Sequence, residues 1–568
     1  MKKILSVLLC ISIILSFGVI AVSAADETLT INVANDLHYS YTSNNGFTKK
    51  PDANNPYSHV SSSGQLYVES KAVISAFLAK AAADESEIII LPGDLTDGGR
   101  ADEHLTLSQM FREFEENTGK QIYVIPGNHD FNYKRTSVEQ FETYYAEFGY
   151  SEAIAQDSLS ASYVADLPDG YRLLAIDSTD HGIGGGCGLT KDRVQWIKLQ
   201  AQQAQKDGKK VIAMLHHNLL AHLVLIDTLH AGSVVKEELG LKDIFAEYGV
   251  KYIFTAHTHE QDIASYTGKN GEVIYDAVTG SLSSYPCQYR QVAFGNQVEF
   301  KSFYIDKIDT SLVKGTNKLS EEAYALMTTD FTEYSRVCVF KGVEYNINNG
   351  FLTSAKLQSL LKISANDEPE ICALLDKITP ELKKAINMPL YKEDETESGM
   401  SIESILEQYE VTIPDSKYQN MMELAVTVYE SHVAGDEYMP AFSNEVVIAS
   451  KGIGAILIYT LKDVTAKEYT QAIEFVCRLL GVDVPKNLVS YAGNTIDRFE
   501  GIELVVSTAI LPLILKVSVD DAPGDCNVTL PGYTELVEAP EAEKTLWEKV
   551  QEFFIKIFTF IMSLFAFI

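Results

Sequence analysis

Five short blocks of aspartate, histidine and asparagine, each set directly after an apolar run, constrain this chain more than any other feature. They are Asp36-Leu37-His38, Gly93-Asp94-Leu95-Thr96-Asp97, Gly127-Asn128-His129-Asp130, His216-His217 and His257-Thr258-His259. The runs before them are Leu29 to Val33, Glu87 to Leu91, Ile122 to Ile125, Val211 to Leu215 and Tyr252 to Thr255. All are short and rich in β-branched residues, as strands are. Leu173 to Ile176 is a sixth run of this kind, and Gln65 to Ala83 carries helical periodicity. Such alternation predicts an α/β fold with layered sheet flanked by helices. In open α/β sheets the loops beyond the carboxyl ends of adjacent strands form one crevice, so five such loops can converge.

The residue types fit metal chemistry. An aspartate and a histidine, or two histidines, separated by one residue on a tight loop can both turn toward one ion. Carboxylate, imidazole and amide oxygen together suit zinc, iron or manganese rather than calcium or a thiolate site. Gly93 and Gly127 allow a sharp turn just before a ligand. Of the 12 histidines, only His432 lies beyond His259, so the chemistry belongs to the first half of the chain. Taken singly each block is weak: an Asp-x-His is usually surface decoration, and paired histidines at a strand end are usually structural. All five, in this order and each at a strand end, make a strong signal.

The blocks resemble those of the calcineurin-like metallophosphoesterases, whose pattern is Asp-x-His, Gly-Asp-x-x-Asp, Gly-Asn-His-Asp/Glu, a histidine after a strand, and Gly-His-x-His. The resemblance covers 28–306. It implies a β-sandwich flanked by helices and two divalent transition-metal ions. One ion would be held by Asp36, His38 and His259, the other by Asn128, His216 and His257, with Asp94 bridging both. Ala256 stands where the family usually has glycine, a departure that removes no ligand. The implied reaction is hydrolysis of a phosphomonoester or phosphodiester by a hydroxide shared between the ions. His129 would serve the leaving group, with Asp130 orienting its ring; a simple turn-capping role for Asp130 is the competing reading. Asn128 and His217 would touch substrate phosphate, although hydrogen bonding to a neighbouring loop accounts for His217 equally well. Asp97 stands behind the ligands. Asp97 also replaces the tyrosine of purple acid phosphatases, and Asn128-His129-Asp130-Phe131-Asn132 departs from the Asn-His-Glu-Phe-Asp of exported 5′-nucleotidases.

The two ends bear on location. Residues 1–24 read as a secretory signal: Lys2 and Lys3, an apolar stretch from Ile4 to Ala21, then the small residues of Val22-Ser23-Ala24. An uncleaved anchor is the alternative. Formal net charge is -32, which repels a nucleic acid backbone and favours solubility outside the cell. Over 545–568, Trp547, Val550, Phe553, Phe554, Ile557, Phe558 and Ile561 recur at helical spacing. The apolar part is shorter than the roughly 20 residues that span a bilayer, so the segment reads as an interfacial helix or one packed on its own domain. With a membrane-bound tail, the chain would act as a phospholipid or sphingomyelin-type phosphodiesterase. A surface binding protein with a relic metal centre is the non-enzymatic alternative, although relics usually lose a ligand and here all seven positions are filled.

Residues 307–540 are helix-rich and carry no catalytic block. Thr465 and Glu468 predict a capping box ahead of Tyr469 to Leu480. Leu504 to Val519 reads as extended, with Asn527 to Leu530 as a returning strand. Six cysteines follow the signal (Cys187, Cys287, Cys338, Cys372, Cys477 and Cys526) without any Cys-x-x-Cys pair, so neither a zinc knuckle nor a dense disulfide framework is expected.

Overall fold

Strand burial alternates between two partners, and this builds the layers. The computed structural model describes residues 29–48, 64–222, 232–361, 363–394, 400–435, 443–479 and 525–533, with 57, 60 and 440 singly. The signal expected at 1–24, the run Leu504 to Val519 expected to be extended and the helix expected at 545–568 all lie outside the described residues.

One sheet has six strands: β1 (Leu29–Val33), β2 (Ile88–Leu91), β3 (Gln121–Val124), β11 (Gln288–Phe294), β12 (Gln297–Tyr304) and β13 (Val528–Pro531), in the order β13-β12-β11-β1-β2-β3. The other has seven: β4 (Ala155–Gln156), β5 (Tyr163–Asp166), β6 (Tyr171–Ile176), β7 (Lys210–Leu215), β8 (Val250–Thr255), β9 (Asp262–Thr267) and β10 (Val273–Val278), in the order β4-β5-β6-β7-β8-β10-β9. Ile212 and Met214 of β7 join the core shared with the first sheet, where Phe254 packs against Phe294 and Phe300. Val211, Ala213 and Leu215 face the other way, toward the helices Lys191–Lys206 and Leu241–Tyr248. The two-residue period of a strand thus serves both layers. Thr190 caps the helix Lys191–Lys206 through the Arg193 amide, and Trp196 on that helix packs half-buried against the core.

Strands β1, β2 and β3 run parallel to one another, as do β6, β7, β8 and β10. Their carboxyl ends carry all five blocks. Asn35 ties the two sheets together there, its side-chain amide donating to Thr255 O and to Thr279 O, the latter at 3.1 Å.

The structure differs from the sequence reading in two places. The first long helix begins at Ser70 rather than at Gln65. The C-terminal strand, expected as part of a local β element, pairs antiparallel with β12 and so extends the first sheet, with Leu530 opposite Val298. Between these sheet strands lie helices such as Phe331–Asn346, Pro369–Ile386, Met421–Ala434, Asn444–Thr460 and Ala466–Leu479. Their apolar faces form a second core that includes Val343, Leu375, Leu424 and Ile448. The Thr465–Glu468 capping box is present, with the Thr465 amide donating to Glu468 Oε2 at 2.7 Å and the Glu468 amide to Thr465 Oγ1 at 3.3 Å. Cys187, Cys287, Cys338, Cys372 and Cys526 are free thiols. Among the described residues no helix is long and apolar enough to cross a membrane.

Candidate metal centre

The five loops meet, and they do so through unusual backbone. Asp36 (φ 48°), His38 (φ 41°), Asp94 (φ 46°), His257 (φ 74°) and His259 (φ 61°) all adopt left-handed conformations that non-glycine residues seldom take. Each costs on the order of 1–3 kcal/mol and persists only where its surroundings fix it. Two glycines make the close approach. A Cβ on Gly93 would come within 2.7 Å of Gly127 N and 2.8 Å of His216 Nδ1, and one on Gly127 would collide with Asp94. Ala256 is not among the positive-φ residues, so its methyl group sits in the core without strain in place of the usual glycine.

Two sets of donor atoms result. In the first, His38 Nε2 lies 3.2 Å from His259 Nε2, and His259 Nε2 lies 3.7 Å from Asp36 Oδ1. In the second, His216 Nε2 lies 2.9 Å from Asn128 Oδ1, 3.1 Å from His257 Nδ1 and 3.3 Å from Asp94 Oδ2. Asp94 Oδ2 is also 3.8 Å from His38 Nε2, so this one oxygen belongs to both sets. Asp36, His38 and His259 form one potential ion-holding group; Asp94, His216 and His257 form another. Spacings near 3–3.5 Å are the edges of a shell whose ligands lie about 2.0–2.2 Å from a cation. Lone pairs this crowded cannot all satisfy one another, and the donor set fits two divalent ions.

The surrounding hydrogen bonds aim these atoms. His216 Nδ1 lies 3.1 Å from Pro92 O, which turns Nε2 toward Asp94. His257 Nε2 lies 3.1 Å from Ser233 Oγ, leaving Nδ1 for the centre. The His129 amide donates to Asp94 Oδ1 at 2.7 Å, and the His257 amide to Asp36 Oδ2 at 3.1 Å. Burial holds His38 and His257 well below the ordinary imidazole value and lowers His259 to about 4, so all three are neutral, as ligands must be. Burial opposes ionisation of Asp94, yet His216, His129 and His38 outweigh it and keep the carboxylate well below its usual range. His216 behaves differently. Despite burial, Asp94 raises it to about 9, so in the metal-free protein a proton lies between these two groups where a cation would replace it. Asp36 is pushed up by burial, a shift that nearby cations reverse.

His129 stands at the more open edge, with its side chain 31% exposed. Its Nδ1 lies 2.9 Å from Asp97 O, 3.0 Å from Asn132 Nδ2 and 3.4 Å from Asp97 Oδ1. Burial opposes its protonation, but Asp94 and Asp97 raise it to about 10. Asp97 therefore orients this ring, while Asn132 Nδ2 donates to the same Asp97 carbonyl at 2.7 Å, and the expected role of Asp130 requires correction. Asp130 is fully buried, accepting from the amides of Leu95 (3.1 Å), Thr96 (2.8 Å) and Gly127 (2.9 Å). Its carboxylate clamps the second loop to the third, which is the turn-capping reading. His217 also differs from expectation. It is fully buried, with Nδ1 2.9 Å from Ser178 Oγ and Nε2 3.4 Å from Gly185 O, so its nitrogens serve the loop after β6 rather than substrate. That loop, Asp177 to Gly188, carries none of the five blocks and was missed. Its signal, if any, was the glycine run Gly184-Gly185-Gly186. Asn132 was missed as well, although it ends the third block.

Residues 29–261 match the model of the calcineurin-like phosphoesterase family. The match is confined to this domain and does not extend into the helix-rich remainder. Over 131 residues it is 30% identical to a probable glycerophosphodiester phosphodiesterase of Arcobacter nitrofigilis, spanning 23% of this chain and 41% of that protein. Over 218 residues it is 24% identical to a probable cyclic nucleotide phosphodiesterase of Rhodococcus erythropolis, spanning 37% of this chain and 65% of that protein. The chain thus spans less than two thirds of either relative. Among solved structures, a dimetal phosphatase from Danio rerio is 11% identical with a TM-score of 0.36, covering 48% of this chain and 95% of that one. A purple acid phosphatase from yellow lupin (Lupinus luteus) seeds is 13% identical with a TM-score of 0.32, covering 49% of this chain and 52% of that one.

Proposed function

We propose that this calcineurin-like phosphoesterase hydrolyses phosphate esters, diesters foremost, at a centre of two divalent transition metals, zinc, iron or manganese. The observation that carries this reading is Asp94 Oδ2, one carboxylate oxygen common to two sets of imidazole and oxygen donors. Divalent ions held there would supply Lewis-acid activation of water and offset phosphate charge. The residues do the rest. His38, His257 and His259 arrive neutral, so binding cations costs them no proton. Asn128 presents its amide oxygen toward His216 and its NH2 toward Gly185, where a phosphate oxygen can accept from it. His129, held by Asp97, is placed to donate a proton to the departing alkoxide. The names borne by the two relatives support a diester substrate.

The signal-like composition of residues 1–24 supports action outside the cytoplasm, and the apolar residues from Trp547 to Ile568 favour contact with a membrane surface. If the tail serves a lipid substrate, deleting it lowers turnover of a bilayer phosphodiester while sparing a soluble chromogenic one; equal loss on both removes that second reading. The main reading is tested with bis(p-nitrophenyl) phosphate. Metal-loaded protein should hydrolyse it and chelated protein should not. Two bound ions without turnover would instead indicate a binding protein.

A further inference from the structure

We propose that the helix Met421–Ala434 braces the metal loop His257–Gln261, with His432 as a positioning residue for His259. The loop needs a brace, because His257 and His259 both hold left-handed backbone at φ 74° and 61°. From the sheet side, Asp36 accepts from the His257 amide. From the opposite side comes the carboxyl end of this helix. Glu260, the neighbour of His259, is 5% exposed, and its Oε1 lies 3.3 Å from His432 Nε2. Its Oε2 has no hydrogen-bond partner among the described residues. A buried histidine–carboxylate contact with one oxygen unsatisfied is a poor source of stability, so what it contributes is position.

The next residues repeat the contact. The helix ends at Gly435 (φ 69°), where a Cβ would come within 2.8 Å of Gln261 O. Gln288 Nε2 donates to Val433 O at 2.7 Å, tying the same helix end to β11. Gln261 is in turn gripped by its own sheets, accepting from the Gly280 amide at 3.0 Å and donating to Ser302 Oγ at 2.7 Å. Residues 257–261 are thus held between two sheets and one helix. The helix-rich region, which carries no ligand, sets where a ligand points. The inference that this governs metal affinity rests on the proposed metal centre; the loop geometry does not.

The test uses full-length protein. His432→Phe keeps ring volume and removes the nitrogen facing Glu260, whereas His432→Gln restores a donor. In metal-free protein, H432F should exchange the amides of 256–262 about tenfold faster than the parent while β7 is unchanged, as a local opening does. H432Q should return exchange toward the parental rate. Equilibrium dialysis against Mn2+ should show one of two ions bound about 10–100-fold more weakly by H432F and the other unaffected. Unchanged exchange at 256–262 would overturn the brace, and so would a uniform increase that includes β7. If H432F does not fold, Glu260→Ala supplies the same comparison with the same expected and contrary results. A parent chain that binds no metal sinks the proposed function, while the exchange arm still decides the brace.

Discussion

The sheet-built half and the helix-rich half are each well packed, but they place polar groups in opposite ways. In the first, buried aspartates and histidines gather at the strand ends, on backbone forced into left-handed conformations. In the second, Ser320, Asp330, Thr353, Asn420 and Ser443 cap helix starts, and the interior is filled by Val343, Leu375, Ile448 and similar residues. Exceptions such as Glu430, ion-paired with Arg336, are few among the described residues. Backbone strain and buried charge coincide where chemistry is expected. Among the described residues the helical half meets the metal loop at Glu260 and Gln261.

The largest effect is expected at Asp94. Asp94→Asn should lower kcat/KM on bis(p-nitrophenyl) phosphate by roughly 10^3-fold, about 4 kcal/mol of transition-state stabilisation. Unaltered steady-state rates would contradict the shared role of its oxygen. His129→Ala should reduce kcat about 10^2–10^4-fold on alkyl esters and much less on a p-nitrophenyl leaving group, which needs no proton. An equal loss on both would remove the proton-donor role. The helical half should respond in another currency. Leu375→Ala, at 7% exposure, should cost about 2–5 kcal/mol in denaturant unfolding and leave metal content unchanged.

A pH experiment sharpens the contrast within the first half. The buried His222 side chain has Nδ1 2.6 Å from Asp262 Oδ2 and Nε2 3.2 Å from Asp276 Oδ2. Burial opposes its charge, but the two aspartates prevail and raise it from 6.5 to about 10. A raised histidine contributes stability that is complete below about pH 6.5 and is lost as pH rises toward 10. Urea midpoints should therefore decline across that window, and His222→Gln should flatten the decline; an identical slope in the variant would exclude His222 as its source. The smallest effect belongs to Ala256→Gly. With no left-handed backbone there to relieve, restoring the family's glycine should change stability by no more than about 1 kcal/mol and leave hydrolysis close to the parent.

The strands before the five blocks were legible because apolar runs of strand length carry their own signal, and the convergence of Asp36, His38, Asp94, Asn128, His216, His257 and His259 followed from parallel topology. Side-chain direction was not legible. Asp130 and His217 sit inside the motif, yet the chain turns both away from the open face, one into backbone amides and the other toward Ser178. Asn132 and the loop after β6 act through contacts that no local pattern announces. The strand Val528–Pro531 was visible as a strand, but its partner β12 lies more than two hundred residues away, and sequence alternation carries no pairing information.

At the proposed centre one oxygen serves two cations, and equilibrium dialysis against Mn2+ followed by elemental analysis counts them. The parent chain should retain two ions, His38→Ala and His257→Ala one each, and Asp94→Asn should hold both weakly. A parent that retains a single ion, or an Asp94→Asn chain that retains two as tightly as the parent, would contradict it.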